Sequence, residues 1–152
     1  MNLEQLGLLG VFLGGAIPWL EAIAVVPAGI VLGLDPVLTV LFASVGNIIT
    51  IAVFAYGGGA LRSWIVKRRV AKGKEPESPK FVKAQKAFDK YGIYGMAVLG
   101  PILIGTQFAA AASVAAGVKP LKVTLAVSIA MVIWASLIAW VVVTLGISVL
   151  ET

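Results

Sequence analysis

The sequence predicts an all-α integral membrane protein made of two halves. Each half is a re-entrant helical hairpin followed by a transmembrane helix, one half is the inverted copy of the other, and an interfacial amphipathic helix lies between them. Three observations carry this reading. Of 152 residues, 60% are hydrophobic and 12% charged, with a mean hydropathy of +1.03; one soluble domain cannot hide that much apolar surface. Residues 36–61, 91–118 and 123–150 hold no Asp, Glu, Lys or Arg, and each run exceeds the roughly 20 residues that a spanning helix needs. Finally, the punctuation recurs in the same order: Gly33-Leu34-Asp35-Pro36 precedes one long run as Gly117-Val118-Lys119-Pro120 precedes the other, and Pro18 and Pro101 stand before the two turns.

The first repeat is expected over 6–60, a hairpin at 6–34 and a transmembrane helix at 36–60. Residues 6–33 are interrupted by Gly14, Gly15, Pro18, Pro27 and Gly29, which suits two short arms better than one straight rod. An arm of about 13 residues rises roughly 20 Å, just past the middle of a hydrocarbon core of about 30 Å. The bend at Pro18–Glu21 would then sit near the bilayer midplane. The N-terminal Met-Asn-Leu-Glu-Gln has neither the basic start nor the cleavage site of a signal peptide, so it is expected to stay attached.

Residues 61–92 form the polar stretch and hold ten of the twelve cations, from Arg62 to Lys90, which predicts a cytoplasmic loop. Ser78-Pro79 reads as an N-cap and first-turn proline. After it, Phe81, Phe88 and Tyr91 share one side of a helix and Lys83, Lys86 and Lys90 the other, a pattern that suits the membrane surface. The second repeat is expected over 93–150, a hairpin at 94–118 interrupted at Gly100-Pro101 and Gly105-Thr106-Gln107, and a transmembrane helix at 120–148.

Topology follows from charge. If both broken segments are re-entrant, Lys119 and Lys122 share the side of residues 61–92, and Asp35 and both termini face outward. Every Lys and Arg is then cytoplasmic, as the positive-inside rule favours. A multi-pass protein of the plasma or inner membrane is expected, and at this length a homo-oligomer, because two half-crossing hairpins seal no pathway alone.

Absent residues narrow the chemistry. With no Cys and no His, disulfides, thiolate nucleophiles, sulfur-ligated metals and the commonest general base are missing. The seven acids, Glu4, Glu21, Asp35, Glu75, Glu77, Asp89 and Glu151, offer no paired carboxylates inside the apolar segments. No enzyme, catalytic residue, metal or cofactor is expected, and a nucleic-acid partner has no binding fold to support it.

The ionisable residue that stands out is Glu21, between Pro18 and Pro27 in an apolar stretch. A carboxyl at that depth is by default an ion or substrate site, and a helix broken beside it fits transporter sites. Trp19 would wall such a pocket or stack on a cation. Asn47, central in the first span, reads as an interhelical hydrogen bond or a ligand. Gly105, Thr106 and Gln107, at the second bend, are expected to approach Glu21. Trp64, Trp134 and Trp140 read as interfacial or packing residues.

The pattern of Pro18-Trp19-Leu20-Glu21, Pro27-Ala28-Gly29, then Lys90-Tyr91-Gly92, Gly100-Pro101, Gly105 and Ala116-Gly117 resembles DedA-like membrane proteins. Within that group it is most similar to the small multi-drug export protein family. The resemblance covers roughly residues 12–148. It implies two facing re-entrant hairpins, each followed by a spanning helix, in a transporter linked to the proton-motive force. DedA-like proteins carry arginines around the second hairpin, whereas here Gly105-Thr106-Gln107-Phe108 has Gln107 and no arginine, so a phosphate headgroup would lose its partner.

Three functions compete. The leading one is a proton-coupled exporter of small cationic or neutral molecules, in which Glu21 alternately holds a proton and a substrate; desolvation is what brings a carboxyl within reach of protonation near neutral pH. The second is a lipid-carrier flippase or scramblase, whose basic loop, Lys119 and Lys122 gather anionic headgroups. The third is a structural or assembly protein in which Glu21 merely snorkels or caps a helix. The bilayer, protons and a small-molecule or lipid substrate are the expected partners.

Overall fold

The computed structural model describes residues 3–18 and 20–150, and among them every regular element is a helix. Helices α1 (Leu3–Ala16) and α2 (Glu21–Val31) lead into the long α3 (Pro36–Val70); α4 (Pro79–Leu103) and α5 (Thr106–Ala115) lead into the long α6 (Pro120–Leu150). Within the long helices, Pro36–Ala60 and Pro120–Gly146 are apolar and long enough to cross a membrane, where the uncharged runs place them. Helix α4 bends at Gly92, with φ 64° and ψ −169°, so residues 79–91 and 93–103 are separate rods.

Both spans begin the same way because the residues before them do the same work. After α2, Gly33 takes φ 86° and donates its N–H to the Ile30 carbonyl at 2.9 Å, while Leu34 N–H reaches Gly29 at 3.1 Å. After α5, Gly117 takes φ 95°, donates to Val114 at 2.9 Å, and Val118 N–H reaches Ser113 at 3.1 Å. This paired bonding closes a helix on a left-handed residue, a place for glycine. Pro36 and Pro120 then open the next helix with φ preset and no N–H to waste. The copies differ in their capping: Asp35 Oδ1 accepts from Leu38 N–H at 2.8 Å, a cap that the Lys119 side chain cannot supply.

The chain forms two compact units, residues 1–50 with 128–152, and residues 51–127. In the first, a Cβ on Gly7 would lie 2.7 Å from Leu34 Cδ2, one on Gly14 3.1 Å from Val25 Cγ2, and one on Gly29 3.1 Å from Val11 Cγ2. The pairs run in opposite order along the two helices, so α1 and α2 are an antiparallel hairpin whose exit returns to the level of Gly7. Against α3 the approach is backbone to backbone: a Cβ on Gly15 would strike the Ala43 carbonyl, and one on Gly46 the Phe12 carbonyl. Small residues let membrane helices meet this closely. Gly46 stands ten residues past Pro36, so the hairpin tip lies roughly 15 Å along α3, half of a hydrocarbon core of about 30 Å.

In the second unit, a Cβ on Gly100 would lie 2.6 Å from Ala109 Cβ, and Lys122 Nζ stands 5.5 Å from the Tyr94 ring centroid. Entry and exit of the α4–α5 hairpin are therefore together as well. The basic rod at 79–91 packs back on this hairpin. Ala84, Met96, Ile104, Ala109 and Ala112 form a buried cluster, and Phe81 and Phe88 pack against it, while Lys83, Lys86 and Lys90 are exposed. Ser78 accepts from Phe81 N–H at 3.2 Å with Pro79 in the first turn, as the sequence predicts.

Two expectations are corrected. Helix α3 does not end at Gly57-Gly58-Gly59 but runs into the basic stretch as far as Val70, and it closes at Gly73, whose N–H reaches Val70 at 2.9 Å. Each interior glycine costs about 1 kcal/mol, yet Gly58 offers α5 a flat surface, with Ala111 Cβ 3.5 Å from where its Cβ would be. Lys67, Arg68 and Arg69 in the last turn favour the negative helix end. The second correction concerns Pro27 and Pro101, which lie inside α2 and α4 rather than at breaks. The second break is at Ile104-Gly105, at the later of the two interruptions marked in the sequence, and both N–H groups reach the Gly100 carbonyl, at 3.0 and 2.8 Å.

Candidate functional site

Pro18 has no N–H to continue α1, and the chain tightens into a turn in which Leu20 N–H reaches the Ile17 carbonyl at 3.2 Å. Glu21 then opens α2 at φ 46°, the only left-handed residue other than glycine among those described. That conformation costs roughly 1–2 kcal/mol for a residue with a Cβ, and such strain gathers where a function holds it in place. The side chain is buried, 6% exposed. As the first residue of α2, its carboxylate also meets the positive end of that helix. Six residues on, the Pro27 ring denies the Ile23 carbonyl its usual donor. Trp19 lies outside the described residues.

Facing the hairpin from α3, Thr39, Ala43 and Asn47 recur at four-residue steps and are fully buried, with Ser44 beside them at 5% exposed. Thr39 Oγ1 donates to the Asp35 carbonyl at 2.7 Å, and Thr50 Oγ1 donates to the Asn47 carbonyl at 2.9 Å. Ser44 Oγ and, in α6, Ser128 Oγ are buried with no hydrogen-bond partner among the described residues. Buried hydroxyls of this kind are normally met by water. The first unit thus gathers Glu21, Ser44, Asn47 and Ser128 inside apolar helices. The sequence marks Glu21 and Asn47; nothing in it singles out Ser44 or Ser128.

The tip of the second hairpin is polar too. Thr106 and Gln107 are fully buried, and Ser113 Oγ donates to the Ala109 carbonyl at 2.7 Å. Gly105 holds φ 98° and ψ 146°, a region essentially closed to any residue with a Cβ. Replacement of Gly105 by Leu, which the sequence alone offers as a simple plug of the bend, is therefore expected to cost about 1–3 kcal/mol in stability. Thermal unfolding in detergent checks it, and a Gly105→Leu protein melting with the wild type would contradict the backbone conformation. Gly105, Thr106 and Gln107 belong to the second unit, Pro18, Glu21, Pro27 and Asn47 to the first.

The remaining aromatic side chains take ordinary places. Trp64 and Trp140 are exposed, 56% and 67%, and Arg68 stacks over Trp64 at 5.2 Å. No group of three or more acids able to hold a metal ion occurs among the described residues.

A family model described as "Putative small multi-drug export protein" matches residues 21–138. The chain belongs to this family. No curated protein and no solved structure matches it. The matched region of this small multi-drug export family member begins at Glu21 itself and runs through both breaks' distal arms into α6, so Glu21, Asn47, Thr106 and Gln107 all fall within it. The family description names export, and together with the two apolar spans it suggests a membrane location.

Proposed function

We propose that this protein is a proton-coupled exporter of small cationic or neutral molecules, with Glu21 as the group that exchanges proton and substrate. The observation that carries the reading is a buried carboxyl held at a left-handed φ, at a hairpin tip half-way along an apolar span. One acid is enough when it is reached from either side in turn, and the buried hydroxyls of Ser44 and Ser128 supply places for water in the same unit. The absence of a cation from all the apolar runs favours a substrate that is not an anion. No covalent chemistry is needed. The test is substrate-dependent proton movement in proteoliposomes of the purified protein.

In this reading both hairpins are re-entrant and the halves are inverted, the arrangement that the resemblance to DedA-like proteins implies. Residues 61–92 and 119–122 are cytoplasmic, and the termini and Asp35 face outward. The exposed stripe Leu121, Leu125, Ile129, Ile133 and Leu137 on α6 meets lipid or a second copy. Because the chain has no cysteine, a single Cys at position 119 reports the topology directly. It is expected to resist an impermeant thiol reagent in intact cells and to react once the membrane is opened. Labelling from outside would instead require the second broken segment to cross fully.

A further inference from the structure

The second unit contains a cleft remote in sequence from Glu21, where α3, α5 and the start of α4 meet. Its outer part encloses about 520 Å³, within the roughly 300–1,000 Å³ of sites that take small organic molecules. It continues into a narrow apolar slot of about 40 Å³ walled by Phe54, Ile65, Val66, Phe81, Phe108 and Ala111. The slot is aromatic by construction: Phe54 and Phe108 have ring centroids 6.3 Å apart at a tilt of 55°. Its mouth is charged. The Arg62 guanidinium pairs with the Glu77 carboxylate and stacks 4.8 Å from the Phe81 centroid, and Lys80 Nζ stands 5.6 Å from the Phe108 centroid.

This arrangement discriminates by charge. Two of the aromatic faces already carry a fixed cation, so a cationic guest would compete for them and be repelled. An anion meets Arg62, with Glu77 as a counter-ion that can be displaced; at 35% exposure its side chain can swing to water. The surroundings push the same way, since residues 61–90 hold ten cations against Glu75, Glu77 and Asp89, and such a field concentrates anions. The position is suited to an amphiphile. Arg62 stands just beyond the apolar span Pro36–Ala60, at the depth where a head group leaves the hydrocarbon and its chain remains inside.

From these contacts we infer that the cleft binds an anionic amphiphile, its carboxylate or phosphate head on Arg62 and the end of its apolar chain in the Phe54–Phe81–Phe108 slot. Such a ligand comes from the surrounding membrane, either as a free fatty acid or as the head group of a phosphorylated lipid. The site is separate from Glu21 and stands whether or not the export reading does.

The test uses full-length protein in nanodiscs of a zwitterionic lipid, with dodecanoate, dodecyl phosphate and dodecyltrimethylammonium as probes and Ala111→Trp, which fills the slot, as the blank. Specific binding of one or both anions is expected, and little of the cation. Arg62→Gln should weaken the anion by about tenfold or more, the worth of one charge-assisted hydrogen bond. Glu77→Gln should tighten it severalfold by removing the competing carboxylate. The opposite signs matter, because both variants break the same ion pair and a purely structural pair would make them move together. A preference for dodecyl phosphate assigns the site to lipid head groups, and a preference for dodecanoate assigns it to fatty acids. The proposal is overturned if both variants shift binding in the same direction while melting with the wild type, or if the cation binds best and is lost with Glu77→Gln.

Discussion

Proteoliposomes of the Glu21→Gln protein are expected to show substrate-driven proton movement no greater than empty vesicles. Gln keeps the length, planarity and hydrogen-bonding capacity of the side chain but has no proton to give up, so folding and passive exchange of substrate should survive. Glu21→Asp retains the acid on a shorter arm and should shift the pH dependence of transport without abolishing it. Glu21→Gly separates function from stability: it removes the cost of a left-handed φ of 46°, so it should melt no lower than the wild type while transporting nothing. A Glu21→Gln protein that still pumped against a gradient would make the carboxylate a residue kept for the positive end of α2, and the coupling site would have to be sought elsewhere.

The largest loss of stability is expected from Gly46→Leu. Its Cβ would strike the Phe12 carbonyl and crowd the Ala16 nitrogen at 3.1 Å. Backbone atoms cannot rotate aside as a side chain would, so α1 must leave α3, at a cost of about 3 kcal/mol or more, the upper end for overpacking. The expected outcome is a polydisperse protein on gel filtration in mild detergent, melting far below the wild type. Gly10→Leu is the matched control, because a Cβ there meets nothing within 4 Å. If both variants eluted and melted alike, the contact between α1 and α3 would not exist in the folded protein.

The parts of the fold that were legible in the sequence are those fixed by local chemistry. Gly33, Gly117, Pro36 and Pro120 announced where the long helices begin because a left-handed closure and a first-turn proline have few alternatives. Ser78 marked its helix start for the same reason. Pro27 and Pro101 misled because a proline within a membrane helix is tolerated when packing holds both arms, and packing is not local. The glycines at 57–59 misled likewise, Gly58 being a contact surface for Ala111 rather than an end. The amphipathic rod at 79–91 was found, but a stripe of Phe81 and Phe88 reads the same whether lipid or protein covers it. At the candidate site, Glu21, Asn47, Thr106 and Gln107 stood out as polar residues in apolar runs. The backbone conformation of Glu21 did not, since the tertiary fold imposes it against the residue's own preference.

The glycine contacts of α1 also bear on what moves during a transport cycle. Where two helices touch through their backbones, as at Gly15 with Ala43 and Gly46 with Phe12, neither can slide past the other without a collision, so α1 and α3 behave as one rigid frame. Helix α2 is held differently, through side chains such as Val25, Val11 and Thr39 against Gly14 and Gly29, which can repack. The short turn before it carries the strain, and a few residues at the end of an element are what absorb the dihedral changes of a hinge. In the proposed proton-coupled cycle Glu21 would then stand at the pivot of the arm that moves, where gaining or losing a charge would act directly on the joint that has to turn.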